Sequence, residues 1–154
     1  MTASEISLSN QHAAMVALNE QRKRMRLEVL DLEQISGVSA SAYFAWMAPI
    51  RSARHARSPS FLCLVAIAET LGFQVIMRHA NGAESFVTTP TAVMTVVNAE
   101  RRARRWTFAD CGRKSGVSEA TYYPLARGKR DPRLSTMVAI SAALDFELIL
   151  VSLN

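Results

Sequence analysis

Ser115-Gly116-Val117-Ser118 repeats, letter for letter, Ser36-Gly37-Val38-Ser39 from 79 positions upstream in the same chain. Holding that offset aligns Asn19 with Asn98, Arg22 with Arg101, Arg26 with Arg105, Asp31 with Asp110 and Tyr43 with Tyr122. Further along, Ala66-Ile67, Leu71 and Phe73 match Ala139-Ile140, Leu144 and Phe146 at an offset of 73, so an intervening loop is six residues shorter in the second copy. Matching order on both sides of a change in loop length points to duplication of one small unit. A chain of 154 residues fits one ordinary domain or two very small ones. The repeat favours two, spanning 9–80 and 91–154, with a hairpin or linker over 81–90.

Within the second copy the local signals read as four helices. Thr91 is suited to cap a helix running to about Arg104, with Pro90 just outside it. Trp106 closes the next turn, Thr107 caps a short helix to about Ser115, and Gly116 supplies the left-handed residue that ends it. Val117 points back to the core and Ser118 caps a third helix, which Gly128 ends before the polar stretch Lys129-Arg130-Asp131-Pro132. Two helices joined by a short Gly-containing turn make a helix-turn-helix. Leu134, Met137, Val138, Ile140 and Leu144 recur at three- and four-residue steps and give a core-facing fourth helix. Tyr43, Trp46, Tyr122 and Leu125 share inward helical faces and are assigned to the core.

Each copy then ends in a strand. Phe146 to Ser152 is apolar, rich in β-branched residues and too short for another helix. The first copy has Phe73 to Arg78, then Asn81-Gly82, then Glu84 to Thr88, the pattern of a hairpin. A lone strand is unstable, so the strands of the two copies are expected to pair. That gives either a pseudo-dimer within one chain or a homodimer through the C-terminal strands. The expected architecture is therefore mainly α: two tandem four-to-five-helix units, each followed by a strand, sharing a small antiparallel sheet.

Composition removes other classes. Hydrophobic residues are 49% and charged residues 20%, enough to bury a core. The longest apolar run, Phe61 to Ala68, has eight residues, well short of the ~20 that a membrane helix needs. The N-terminus lacks the basic start and apolar stretch of a signal peptide, which suggests a cytoplasmic protein. Cys63 and Cys111 lie far apart in apolar helical patterns and read as buried thiols, while His12, His55 and His79 match no ligand spacing. With no nucleophile elbow, phosphate loop or paired carboxylate motif, neither a metal, a cofactor nor enzymatic activity is expected. The excess of 18 Lys+Arg over 13 Asp+Glu, a net +5, favours an anionic partner.

The second copy resembles the lambda-repressor-like (Cro/C1, XRE-type) helix-turn-helix family. The likeness is carried by Trp106-Thr107, Ser115-Gly116-Val117-Ser118, Thr121-Tyr122, Arg127-Gly128-Lys129-Arg130-Asp131-Pro132, Leu134, Thr136-Met137, Ile140 and Ala143-Leu144. In the first copy Leu27, Ser36 to Ser39, Tyr43 and Trp46 fit, but Ala48 to Pro59 replaces the short loop. The resemblance implies that helix three of each unit lies in the DNA major groove while helix two crosses the backbone. From Arg101 to Arg130, nine Lys/Arg stand against Asp110 and Glu119. Phosphate-binding candidates are Arg101, Arg102, Arg105, Arg113, Lys114, Arg127, Lys129, Arg130 and Arg133 in the second copy. The first contributes Arg22, Lys23 and Arg26 at the end of helix one and Arg51, Arg54 and Arg57 in its long loop.

Base readout departs from the family pattern. Where members often place Gln at the start of helix two, this chain has Val29 and Phe108. The candidate base readers are Ser39, Ala40, Ser41 and Phe44 in the first copy and Ser118, Glu119, Thr121 and Tyr123 in the second, a set with little hydrogen-bonding capacity. Pro124 removes a backbone donor inside helix three. Sequence preference would then lean on DNA shape.

The expected function is that of a sequence-specific regulator of transcription, associated with the nucleoid, whose two units meet two half-sites about one helical turn apart. RNA polymerase or another regulator is a candidate second partner. The alternative is a protein-interaction module of antitoxin or antiactivator type, suggested by the apolar surfaces of Ala40, Phe44, Ala45 and Tyr123.

Overall fold

The computed structural model describes residues 5–47 and 57–153. Their order is β1 (Glu5–Ser7), α1 (Gln11–Arg24), α2 (Val29–Ser36), α3 (Ala40–Met47), α4 (Phe61–Thr70), β2 (Phe73–His79), β3 (Glu84–Phe86), α5 (Pro90–Ala103), α6 (Phe108–Ser115), α7 (Glu119–Ala126), α8 (Leu134–Ala143) and β4 (Phe146–Ser152). The chain is mainly helical, with one four-stranded antiparallel sheet in the order β1-β4-β2-β3. No described helix is long and apolar enough to cross a membrane.

Local chemistry accounts for most boundaries. Asn10, Ser60 and Thr89 each accept a backbone N–H from the third residue on, capping α1, α4 and α5. Thr89, not Thr91, is therefore the cap of α5, and Pro90 sits inside at the first helical position, where its missing N–H costs nothing. Thr107 and Asp110 form a reciprocal capping box at α6, as Glu28 and Asp31 do at α2. Both helices stop at a left-handed glycine, Gly37 at φ 79° and Gly116 at φ 76°. Ser118 precedes α7, but its hydroxyl meets Thr121 Oγ1 at 3.0 Å instead of capping a backbone amide. Pro124 is accommodated in the second turn of α7.

β2 and β4 form the centre of the sheet, paired from Phe73↔Ser152 to His79↔Phe146 within one chain. In the middle, Ile76 faces Ile149, and these residues are also 73 apart in sequence. Each residue of one strand therefore faces the counterpart of its mirror position. The hydrogen bonds follow the same rule. Ala80 N–H donates to Asp145 O and Leu153 N–H to Gly72 O, both at 2.9 Å; Phe61 N–H donates to Pro132 O and Leu134 N–H to Pro59 O, both at 2.8 Å. At the outer edges β1 pairs with β4 as β3 pairs with β2, and Glu5–Ser7 corresponds to Glu84–Phe86 at the offset of 79. β1 lies before the span 9–80 read from sequence, and β3 stops at Phe86, two residues short of the expected Thr88.

The helices pack to match. α1 meets α3, α2 meets α3 and α4, α5 meets α7 and α8, and α6 meets α7 and α8. α4 lies on β2, α8 on β4, and the two helices also touch each other. The buried cluster runs unbroken from Leu18, Leu32 and Tyr43 through Leu64, Val75 and Leu148 to Val97, Tyr122 and Met137. Tyr43, Tyr122 and Leu125 are buried as expected, whereas Trp46 is half-buried against the cluster. Cys111 is buried and its thiol is pushed up by desolvation, but Cys63 is only partly buried.

Candidate nucleic-acid interface

The second helix pair, α6–α7, is held from beneath. Arg101 on α5 donates from Nε to Asn98 Oδ1 at 3.2 Å and from Nη1 to Trp106 O at 2.8 Å, and it covers the Phe108 ring at 4.3 Å. Arg22 does the same in the first half, bonding Asn19 Oδ1 at 3.0 Å and Leu27 O at 2.6 Å. These two arginines, phosphate-binding candidates from sequence, latch the turn after helix one through these bonds. Arg104, counted in the basic stretch, ties Glu100 and Asp145 together and lies over Trp106. The recurring Asn-x-x-Arg at 19–22 and 98–101 is the sequence signal for the latch.

The other cations of the second half face solvent. Arg102, Arg105, Arg113, Lys114, Arg127, Lys129, Arg130 and Arg133 are all exposed. Arg113 pairs with Asp110, whose carboxyl the Thr107 backbone N–H holds below its ordinary range. Arg105 and its counterpart Arg26 adopt left-handed backbone at φ 59° and 58°, projecting two cations just ahead of their helix pairs. In the first half Lys23, Arg26 and Arg57 are exposed; Arg51 and Arg54 lie outside the described residues.

Along α7, Glu119 and Tyr123 are exposed and Thr121 is half-exposed. Tyr123 is 49% exposed, with Arg127 stacked on its ring at 4.5 Å and donating to its hydroxyl at 2.8 Å. This aromatic–guanidinium pair was not anticipated, although the i,i+4 spacing announces it. Between α6 and the start of α7 opens a cleft of about 530 Å³, lined by Ala109, Gly112, Arg113, Gly116, Val117, Ser118 and Glu119. Gly112 lines it where α6 comes close to the turn: a Cβ there would stand 3.0 Å from Val117 O.

The first helix pair, α2–α3, is different at its corresponding positions. Glu33 stands where the second half has Gly112, and its Oε1 accepts the Ala40 N–H at 2.9 Å. That carboxylate sits on the first turn of α3, at the end of the helix that would otherwise attract an anion. Ser39 uses its hydroxyl to accept the Ala42 N–H, leaving Ala40 half-exposed and Ser41 and Phe44 exposed. Between 27 and 47 there is no Lys or Arg at all, against Glu28, Asp31 and Glu33. The loss of Gly at 33 is legible once the two copies are aligned.

Among the described residues no group of three or more His, Cys, Asp or Glu is placed to hold a metal ion. No protein-family model matches the chain, and neither does a curated protein or a solved structure.

Proposed function

We propose that this chain is a double-stranded-DNA-binding regulator of transcription, built from two tandem lambda-repressor-like units and gripping DNA through the second. The observation that carries the reading is the α6–α7 pair. A second helix with exposed Glu119 and Tyr123 follows a left-handed glycine turn, and eight exposed cations stand between 102 and 133 in the segments before and after it. In such a pair the second helix enters the major groove and the surrounding cations neutralise phosphates. The recurrence of hydrogen bonds at offsets of 79 and 73 supports the two-unit reading.

The proposal is narrower than two equivalent half-sites, because α2–α3 carries no cation and places Glu33 where phosphate would approach. On α7, Glu119, Thr121 and Tyr123 are the base-facing groups, with Glu119 suited to accept from cytosine. The test is selection of bound duplexes from a random pool at low salt. A single recovered half-site, with affinity falling steeply as salt rises, is the expected result. No enrichment over the starting pool would overturn the DNA reading, and a palindrome with half-sites one turn apart would restore the symmetric one.

A further inference from the structure

We propose that the exposed face of α2–α3 docks a cationic amphipathic segment of another protein. Three large apolar side chains stand out from this short pair: Leu30 at 64%, Ile35 at 63% and Phe44 at 58% exposure. Soluble surfaces rarely concentrate such groups without a use for them. Leu30 and Glu33 are neighbours three apart on α2, Glu33 reaches across to the Ala40 amide, and Phe44 lies one turn along α3 from Ala40. Leu30, Glu33, Ala40 and Phe44 therefore form one strip, while Asp31 and Ile35 lie on the adjoining side of α2, about 100° and 140° round from Leu30.

The charge of the strip identifies what it takes. Glu28, Asp31 and Glu33 are its only ionic groups, and none of the three is ion-paired among the described residues. The nearest cations in sequence are Lys23 and Arg24 at the end of α1 and Arg26, which stands two residues ahead of Glu28. An apolar strip edged with carboxylates repels phosphate and complements a helix that carries Lys or Arg beside an apolar stripe. The corresponding positions of the second pair reverse this chemistry: Ala109 for Leu30, Lys114 for Ile35, Gly112 for Glu33. The inference goes beyond the DNA reading and does not depend on it.

The test is a display selection of random peptides of about 12 residues, some three helical turns, against the full chain. It is counter-selected on the doubly substituted Leu30→Ser, Phe44→Ser chain, whose changes are at exposed positions. Enriched peptides are expected to be net positive, with apolar residues at three- and four-residue spacing. A synthetic peptide of the enriched sequence should bind the double variant about tenfold more weakly. It should bind Glu33→Gln several-fold more weakly, while affinity for a selected duplex stays within about twofold. Neutral or acidic peptides, or equal affinity for variant and parent, would overturn the proposal. Loss of duplex binding in the double variant would give the face to DNA instead. A parent that sediments as a dimer which the double variant dissociates would give it to a second copy. A parent that binds no duplex but still selects cationic peptides would sink the DNA reading alone.

Discussion

The helix pairs α2–α3 and α6–α7 share a backbone plan and differ in almost every exposed side chain. Both begin at a capping box, both turn at a left-handed glycine, and both bury a tyrosine, Tyr43 or Tyr122, from the second helix. Outside, one presents Leu30, Ile35 and Phe44 with three carboxylates, the other Arg113, Lys114 and an arginine-stacked Tyr123. Burial and capping are requirements of the fold, so they persist in both copies. Exposed residues carry no such requirement, and it is there that the two pairs diverge.

The largest expected effect breaks this contrast at its charged end. Reversing Arg113, Lys114 and Arg130 to Glu should lower duplex affinity by about a hundredfold or more at low salt. It should also flatten the salt dependence, by up to about one unit of slope for each phosphate no longer neutralised, as read by fluorescence anisotropy. Arg113→Glu alone should lower affinity several-fold, whereas Gln34→Glu, the change at the corresponding position of the first pair, should leave it within about twofold. Equal losses in the two would mean that both pairs grip DNA.

The buried tyrosines sharpen the comparison in alkali. Desolvation pushes the Tyr122 hydroxyl up to about 12, and raises Tyr43 as well, with Arg22 opposing the shift there. The unfolded chain ionises its tyrosines near pH 10, so between about pH 10 and 12 it releases protons that the folded chain retains. Stability from these groups is complete below that window and falls as pH rises through it, by roughly 2 kcal/mol for Tyr122. Chemical denaturation at stepped pH should show the fall, and Tyr122→Phe should flatten it more than Tyr43→Phe.

At neutral pH the order reverses. Tyr43 Oη donates to Asn19 Oδ1 at 2.7 Å, the same oxygen that accepts from Arg22, whereas Tyr122 Oη reaches Ser115 Oγ only at 3.4 Å. Tyr43→Phe is therefore expected to cost about 1 kcal/mol and Tyr122→Phe about half of that or less, by urea unfolding. Arg78, which joins Glu5 and Glu84 across the sheet, should matter least. Its pairs are exposed, so Arg78→Ala is expected to shift the urea midpoint least of these variants, and less still in high salt.

Much of this was legible before folding. Glycine placement, capping residues and hydrophobic spacing are local signals, and they located α6, α7, α8 and the two central strands. Where the reading slipped, alternatives were locally equivalent: Thr89 and Thr91 both qualify as caps, and the choice depends on how β3 delivers the chain into α5. β1 escaped notice because three residues carry no periodicity, and it exists as a strand only because β4 offers an edge. The partners of Arg22, Arg101 and Arg104 were not legible for a related reason. A cation in sequence is simply a charge; whether it meets a carbonyl, a carboxylate or solvent is decided by what folds beside it.

The sequence by itself determined the recurrence of Ser-Gly-Val-Ser and its flanking residues, the glycine-ended helices, the strands β2 and β4 and the concentration of basic residues after Arg101, since each is written in residue order and spacing. Tertiary structure decided that β2 and β4 pair with each other within one chain, centred on Ile76 and Ile149. It also decided which cations face solvent and that Glu33 lies across the start of α3 while Gly112 leaves the start of α7 open. These outcomes depend on contacts between residues far apart in the chain, whose partners are set only when the helices and the shared sheet close around one core.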